Sequence, residues 1–348
     1  MPDKYILKKD HLLPLLRKLK KTHRLIAPVR NRHGDTLFAG IDNLDEVRID
    51  LENQPQNSLK QFFFPQQETL FTYSNPASDS YQFEPVVEES PPTLYFGVRS
   101  CDLSAVLYMD VVFLKNAKDP NYLHKRQNTI LVGLNCNDPF ANCFCNVTRN
   151  GPFIDFGFDL QLTDLGDRFL VEYDRSRGQE IISDWRQFFA EADDKDVKAQ
   201  YQAFLEARGK FRLQVHLDQA VKKLAEDEVP ESVWEELSMR CQDCGGCAYI
   251  CPTCTCFSIS DLQTTDNAGE RIRSWDACTF SGFTRMAGGH NPVDRQMRGI
   301  EKRFRHKLQF DVKKDNRPSC VGCGRCVGIC FGGTDIVRFI NMTCCENI

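Results

Sequence analysis

Two four-cysteine runs of identical spacing constrain this 348-residue chain more than any other feature. The first is Cys241, Cys244, Cys247 and Cys251, followed by Pro252; the second is Cys320, Cys323, Cys326 and Cys330. Both read C-x2-C-x2-C-x3-C, the spacing that wraps a backbone around an iron–sulfur cube. Three thiols on one tight turn take three iron corners, and the fourth points away to the other cube in two-cluster proteins. The expected ligand sets are therefore crossed. One [4Fe–4S] cube takes Cys241, Cys244, Cys247 and Cys330, and the other takes Cys320, Cys323, Cys326 and Cys251. Structural zinc is the competing use of C-x2-C pairs, but a tetrahedral site closes with four ligands and has no use for a threefold turn.

Thirteen of the seventeen cysteines lie from Cys241 onward, so the composition shift places a domain boundary near 231–240. The expected architecture is α+β. A mixed α/β domain spans 1–230, and an alpha-helical ferredoxin-like domain with two [4Fe–4S] clusters spans 231–348. Cysteine at this density is a hazard unless ligated, which implies a reducing, anaerobic cytoplasm. The amino-terminal sequence does not read as a signal peptide, and no apolar stretch predicts a membrane span. A net charge of −4 argues against nucleic acid as a partner.

In the first part, Leu12, Leu15, Leu16 and Leu19 recur at helical spacing, with Pro14 expected in the first turn. Leu94–Val98, Thr129–Leu134 and Phe169–Tyr173 predict strands. Residues 184–205 predict one or two helices, and 53–61 and 74–92 predict loops. No glycine-rich dinucleotide or phosphate fingerprint is present, so no nucleotide site is expected. Between the two cysteine runs, 293–307 reads as a helix.

Cys101, Cys136, Cys143 and Cys145 are the only thiols of the first part. Cys101 and Cys136 each follow a predicted strand, where ligand sites of α/β sheets gather. Spacing leaves two readings open, buried small apolar residues or a third [4Fe–4S] cluster. Cys254, Cys256 and Cys278 read as packing, with extra ligands as the alternative, and Cys344-Cys345 as unligated. Arg271, Arg273, Arg285, Arg295, Arg298, Lys302, Arg303, Arg305 and Lys307 make the insert basic, suiting a solvated face, a docking face or a charge that raises a cluster's potential. Gly288-Gly289-His290 reads as a surface loop and Asp193-Asp194 as solvated surface.

Longer strings go beyond ferredoxin spacing. They are Arg99-Ser100-Cys101-Asp102, Asn142-Cys143-Phe144-Cys145, Gly157-Phe158-Asp159-Leu160, Cys251-Pro252-Thr253-Cys254-Thr255-Cys256, Trp275-Asp276-Ala277-Cys278 and Met286-Ala287-Gly288-Gly289-His290. With them the chain resembles, over nearly its full length, the iron–sulfur electron-transfer subunits of anaerobic sulfite reductases and the β subunits of cytoplasmic sulfhydrogenases. The resemblance implies an electron-transfer protein without a substrate site of its own. It would sit between an FAD-binding flavoprotein, fed by NAD(P)H or ferredoxin, and a catalytic subunit carrying sirohaem or nickel–iron. It also favours the third cluster on Cys101, Cys136, Cys143 and Cys145. The second run ends Cys330-Phe331, where the family usually has Cys-Pro. That departure leaves heterodisulfide reductase-like or other redox assemblies as alternatives. A further alternative is an iron–sulfur enzyme with an open iron in the first domain.

Overall fold

A computed structural model describes residues 4–75, 80–174 and 176–344. Its strands are β1 (Tyr5–Lys8), β2 (Arg24–Arg30), β3 (Thr36–Gly40), β4 (Arg48–Ile49), β5 (Gln67–Ser74), β6 (Gln82–Pro85), β7 (Thr93–Arg99), β8 (Thr129–Leu134), β9 (Leu160–Asp164), β10 (Arg168–Tyr173), β11 (Phe189–Glu191), β12 (Phe257–Thr265) and β13 (Ala268–Trp275). The large sheet runs β11-β1-β10-β9-β8-β7-β2-β3, with β4 on β2. Its centre, β2-β7-β8-β9, is parallel and its flanks are antiparallel.

Strands β7 and β8 are buried along their whole length because both faces of the sheet are covered. Helix Lys9–Leu19 packs its Leu15, Leu16 and Leu19 on one face. Helix Ser100–Leu114 packs Leu103, Val106, Met109 and Phe113 on the other. Pro14 lies in the second turn of its helix, not the first as expected, since the helix already starts at Lys9. It forfeits the hydrogen bond its nitrogen would have donated there.

Residues 184–205 are not continuous helix. Helix Ser176–Asp184 stops where the region begins, β11 returns the chain to the sheet edge, and helix Asp194–Gly209 follows. Asp193 is exposed, as expected, and also caps that helix. Its carboxylate accepts from the backbone of Lys195 and Asp196, while Asp196 accepts from the Asp193 nitrogen. The expected loops are also partly ordered, with helix Lys60–Phe63 in one and β6 in the other.

The cysteine-rich part holds helices Glu231–Arg240, Gln296–Arg305 and Ile336–Cys344 around a stack of aromatic rings. Phe304 lies 4.5 Å from Phe339 at 4° between planes, and Trp234 covers Phe339 at 4.8 Å. This part is not purely helical. Between the cysteine runs, β12 and β13 form a hairpin that pairs with β5 and β6 of the first part in one small sheet, ordered β12-β13-β5-β6. Strands from both sides of the expected boundary thus share hydrogen bonds.

Candidate iron–sulfur centre

The two cysteine runs fold alike. Cys241 leaves helix Glu231–Arg240, a turn carries Cys244, Gly245 takes a positive φ, and the short helix Gly246–Tyr249 holds Cys247. In the second run Cys320 and Cys323 lie on the turn, Gly324 takes the positive φ, and helix Arg325–Ile329 holds Cys326. The fourth cysteine of each run, Cys251 or Cys330, follows its short helix. The short helices pack together, with the Ile329 side chain near Gly246.

This pairing brings the expected crossed partners together. A cavity of about 110 Å³ is lined by Cys241, Cys244, Cys247 and Cys330. The other fourth thiol, Cys251, lies within electrostatic reach of Cys320, Cys323 and Cys326; Cys323 and Cys326 are buried, and Cys251 and Cys320 half-buried. Burial holds the Cys320 thiol up at about 12, so a buried ligand set of this kind needs a positive centre to hold its thiolates.

The first-part thiols also converge. The parallel register of β7 and β8 pairs Arg99 with Leu134, so Cys101 and Cys136 each lie two residues past a matched pair. Cys145 interacts with Cys136 and Cys143, and Cys101 with Cys145. All four are buried. Burial pushes their thiols up, Cys143 to about 12.

This third set abuts the second run. Cys101, Cys143 and Cys145 all lie in reach of Cys323. The Phe144 nitrogen donates to the Gly322 carbonyl at 2.8 Å. Gly322 and Gly324 permit the approach. A Cβ on the first would stand 2.6 Å from the Cys145 backbone, and on the second 2.1 Å from the Asn142 carbonyl oxygen, and both have positive φ. Arg325 bolts the two parts together with a bidentate pair to Asp102 at 2.7 and 2.8 Å, the two side chains almost fully buried.

Exposure differs along the series. The first-part set is sealed, the second run is mostly buried, and the first run reaches solvent at Cys244 and beside Phe331, which is 95% exposed. Phe331, in place of the usual proline, is thus a surface side chain at the cavity rim. Among the described residues, no three His, Cys, Asp or Glu side chains are gathered closely enough to hold a single ion. A cube, with one thiolate on each iron corner, spreads its ligands wider than a mononuclear tetrahedral site does.

Three of the remaining cysteines have a thiol neighbour. Cys254 is hydrogen-bonded to Cys251, and Cys256 to Cys278. The Cys278 bond, against the opposing effect of burial, holds the Cys256 thiol down at about 6. The Cys344 thiol donates to the His216 carbonyl, and Cys345 lies outside the described residues. His290 is exposed, next to the single turn Ala287–Gly289.

The basic insert is not one exposed face. Arg271 pairs with Asp261, Arg298 with Glu301 and Glu231, and Arg305 with Glu301 and Asp227. Arg273 is buried against Glu68 and Asp119. Arg303 and Lys307 turn inward among the thiols, and Lys307 donates to the Thr253 carbonyl and hydroxyl at 2.8 Å each. Lys60 joins them from the first part, donating to the Ala248 and Cys254 carbonyls with its ammonium 3.9 Å from the Trp275 ring centre. The sequence carried no cue for Lys60. Its role appears only once the chain is folded.

Residues 240–334 match the 4Fe-4S dicluster domain. The chain carries a 4Fe-4S dicluster domain. It is also similar over 325 residues to Sulfhydrogenase 2 subunit beta of Pyrococcus furiosus, at 28% identity covering 93% of each chain. The family match supports [4Fe–4S] clusters, in line with the resemblance carried by the motifs. No described helix is long and apolar enough to cross a membrane.

Proposed function

We propose that this chain is the electron relay of a multi-subunit oxidoreductase of the sulfhydrogenase and anaerobic sulfite reductase type. It would work in the cytoplasm between an FAD-binding flavoprotein and a catalytic redox subunit. The observation that carries this reading is the series of three adjoining thiol sets, sealed at one end and open to solvent at the other. Cys101, Cys136, Cys143 and Cys145 would hold one [4Fe–4S] cube, Cys320, Cys323, Cys326 and Cys251 a second, and Cys241, Cys244, Cys247 and Cys330 a third. Cubes of this kind take up and release single electrons when bound. The protein's part is to fix the three sets side by side, exclude water from the first-part set, and present the last beside Phe331 to a partner.

The expected domain division, a thiol-bearing α/β part at 1–230 and a dicluster part at 231–348, is kept as a functional one. The small shared sheet and the Asp102–Arg325 pair would hold the two parts in fixed relation. Anaerobically purified protein should be brown, and dithionite should bleach it and produce the paramagnetic resonance of reduced cubes. A preparation whose visible absorbance does not respond to dithionite would end the proposal.

A second reading draws on a cleft of about 890 Å³ in the first part, bordered by Asn135 and Gly151. Asn135 precedes Cys136, and a Cβ on Gly151 would meet the Cys145 sulfur at 2.7 Å. A substrate on an open iron there would alter the resonance of one cube when sulfite is added. An unchanged spectrum rejects this reading and leaves the relay.

A further inference from the structure

Arg303 is a buried cation whose charge the protein leaves uncompensated. Its side chain is 3% exposed and lines the cavity bordered by Cys241, Cys244, Cys247 and Cys330. One terminal nitrogen donates to the Cys247 carbonyl at 3.4 Å, while Nε and Nη1 have no partner. No carboxylate among the described residues pairs with it, although the neighbouring Arg298 and Arg305 are both held by acids. The groups within its reach that can carry negative charge are thiols, Cys247, Cys326 and Cys251 of the two runs and the neighbouring Cys254. A guanidinium in this position is costly to bury unless something anionic faces it. Two free donors beside a thiol-lined cavity specify what that something is, a compact anion with sulfur acceptors.

We propose that Arg303 donates hydrogen bonds to the cube held by Cys241, Cys244, Cys247 and Cys330, and is the residue that raises that cube's reduction potential. The inference rests on the ligand assignment proposed above. The physical argument concerns the added electron. Reduction adds one negative charge to an already anionic centre, and a fixed cation in a water-poor site favours the more negative state. Arg303 on helix Gln296–Arg305 and Lys307 one turn later put two inward cations at the C-terminal pair. The first-part set has a buried cation of its own, Arg99, whose Nη1 donates to the Cys136 sulfur at 3.9 Å, whereas Arg325 is neutralised by Asp102.

The test is an anaerobic redox titration of the whole chain followed by paramagnetic resonance, with iron counted in parallel. In Arg303→Gln the cube of the first run should be at least tenfold harder to reduce, a fall of about 59 mV for a one-electron couple. Arg303→Lys should recover most of the shift. If Arg303→Gln fails to assemble the cube while Arg303→Lys assembles it, the compensating role of the charge is equally supported. A fully loaded Arg303→Gln with an unmoved potential overturns the inference, and so does loss of the cube in both variants, which would mark Arg303 as packing. Absence of any cube in the unaltered protein would instead remove the proposed function beneath it.

Discussion

At the scale of single residues, the crossed arrangement is the most exposed claim. Cys330 belongs to the second run by sequence but lines the cavity of the first. Cys330→Ser should therefore change the same resonance signal as Cys241→Ser and leave intact the signal that Cys320→Ser alters. Matching effects of Cys330→Ser and Cys320→Ser would refute crossing. Asp50 supports the site from beneath. Burial would raise its carboxyl, but hydrogen bonds from Thr36, Asn53 and the Glu52 backbone outweigh this and hold it at about 2. The loop it fixes carries the Leu51 carbonyl that accepts from Arg99, and Gln54, which donates to the Cys323 carbonyl at 2.7 Å. Because the folded carboxyl titrates below the unfolded value of ~3.9, its stabilisation is present above about pH 4 and is lost as pH falls toward 2. Thr36→Val should cost ~1.5–3 kcal/mol at pH 7, with the deficit against the unaltered protein shrinking as the acid limb is entered in urea denaturation. A deficit independent of pH would show that the hydroxyl does not act through the carboxylate.

At the scale of elements, β7 and β8 were legible in the sequence because they are buried on both faces and read as unbroken apolar runs, while the parallel strands β2 and β9 were not read. The β12–β13 hairpin was not read either. Its alternation stops after Phe257-Ser258-Ile259-Ser260, every residue of β12 is exposed, and Asp266-Asn267 between the paired Thr265 and Ala268 is its one turn signal. Its docking depends on Arg273, which reaches Glu68 on β5 and Asp119 beside helix Pro120–Gln127. No local pattern announces a contact between positions 205 residues apart. Arg273→Met should destabilise the chain by ~3–5 kcal/mol, because it leaves Glu68 buried with only Lys125. Equilibrium denaturation measures this, and a loss under about 1 kcal/mol would mean that the pair behaves as a surface bridge. The thiol runs were legible for the opposite reason. Ligand spacing is a local property of the chain, whereas the inward cations Lys60, Arg303 and Lys307 acquire their roles only through long-range packing.

At the scale of the whole molecule, the first part and the cysteine-rich part meet where the thiol sets meet. Gly322 and Gly324 let the second run approach the Asn142–Cys145 loop, and Asp102–Arg325 closes the contact from the helix that also carries Cys101. Asp102→Ala would strand a buried guanidinium, cost ~3–5 kcal/mol, and weaken any magnetic coupling between the cubes on either side of the junction. Unaltered coupling in a folded variant would place the junction's strength elsewhere. The central claim, that three thiol sets hold three iron–sulfur cubes, is tested most directly by iron and acid-labile sulfide per chain in protein purified and assayed without oxygen. The account predicts about twelve of each, four per cube, in a chain that accepts electrons from dithionite. A colourless chain without iron, or one loaded only with zinc, would contradict it.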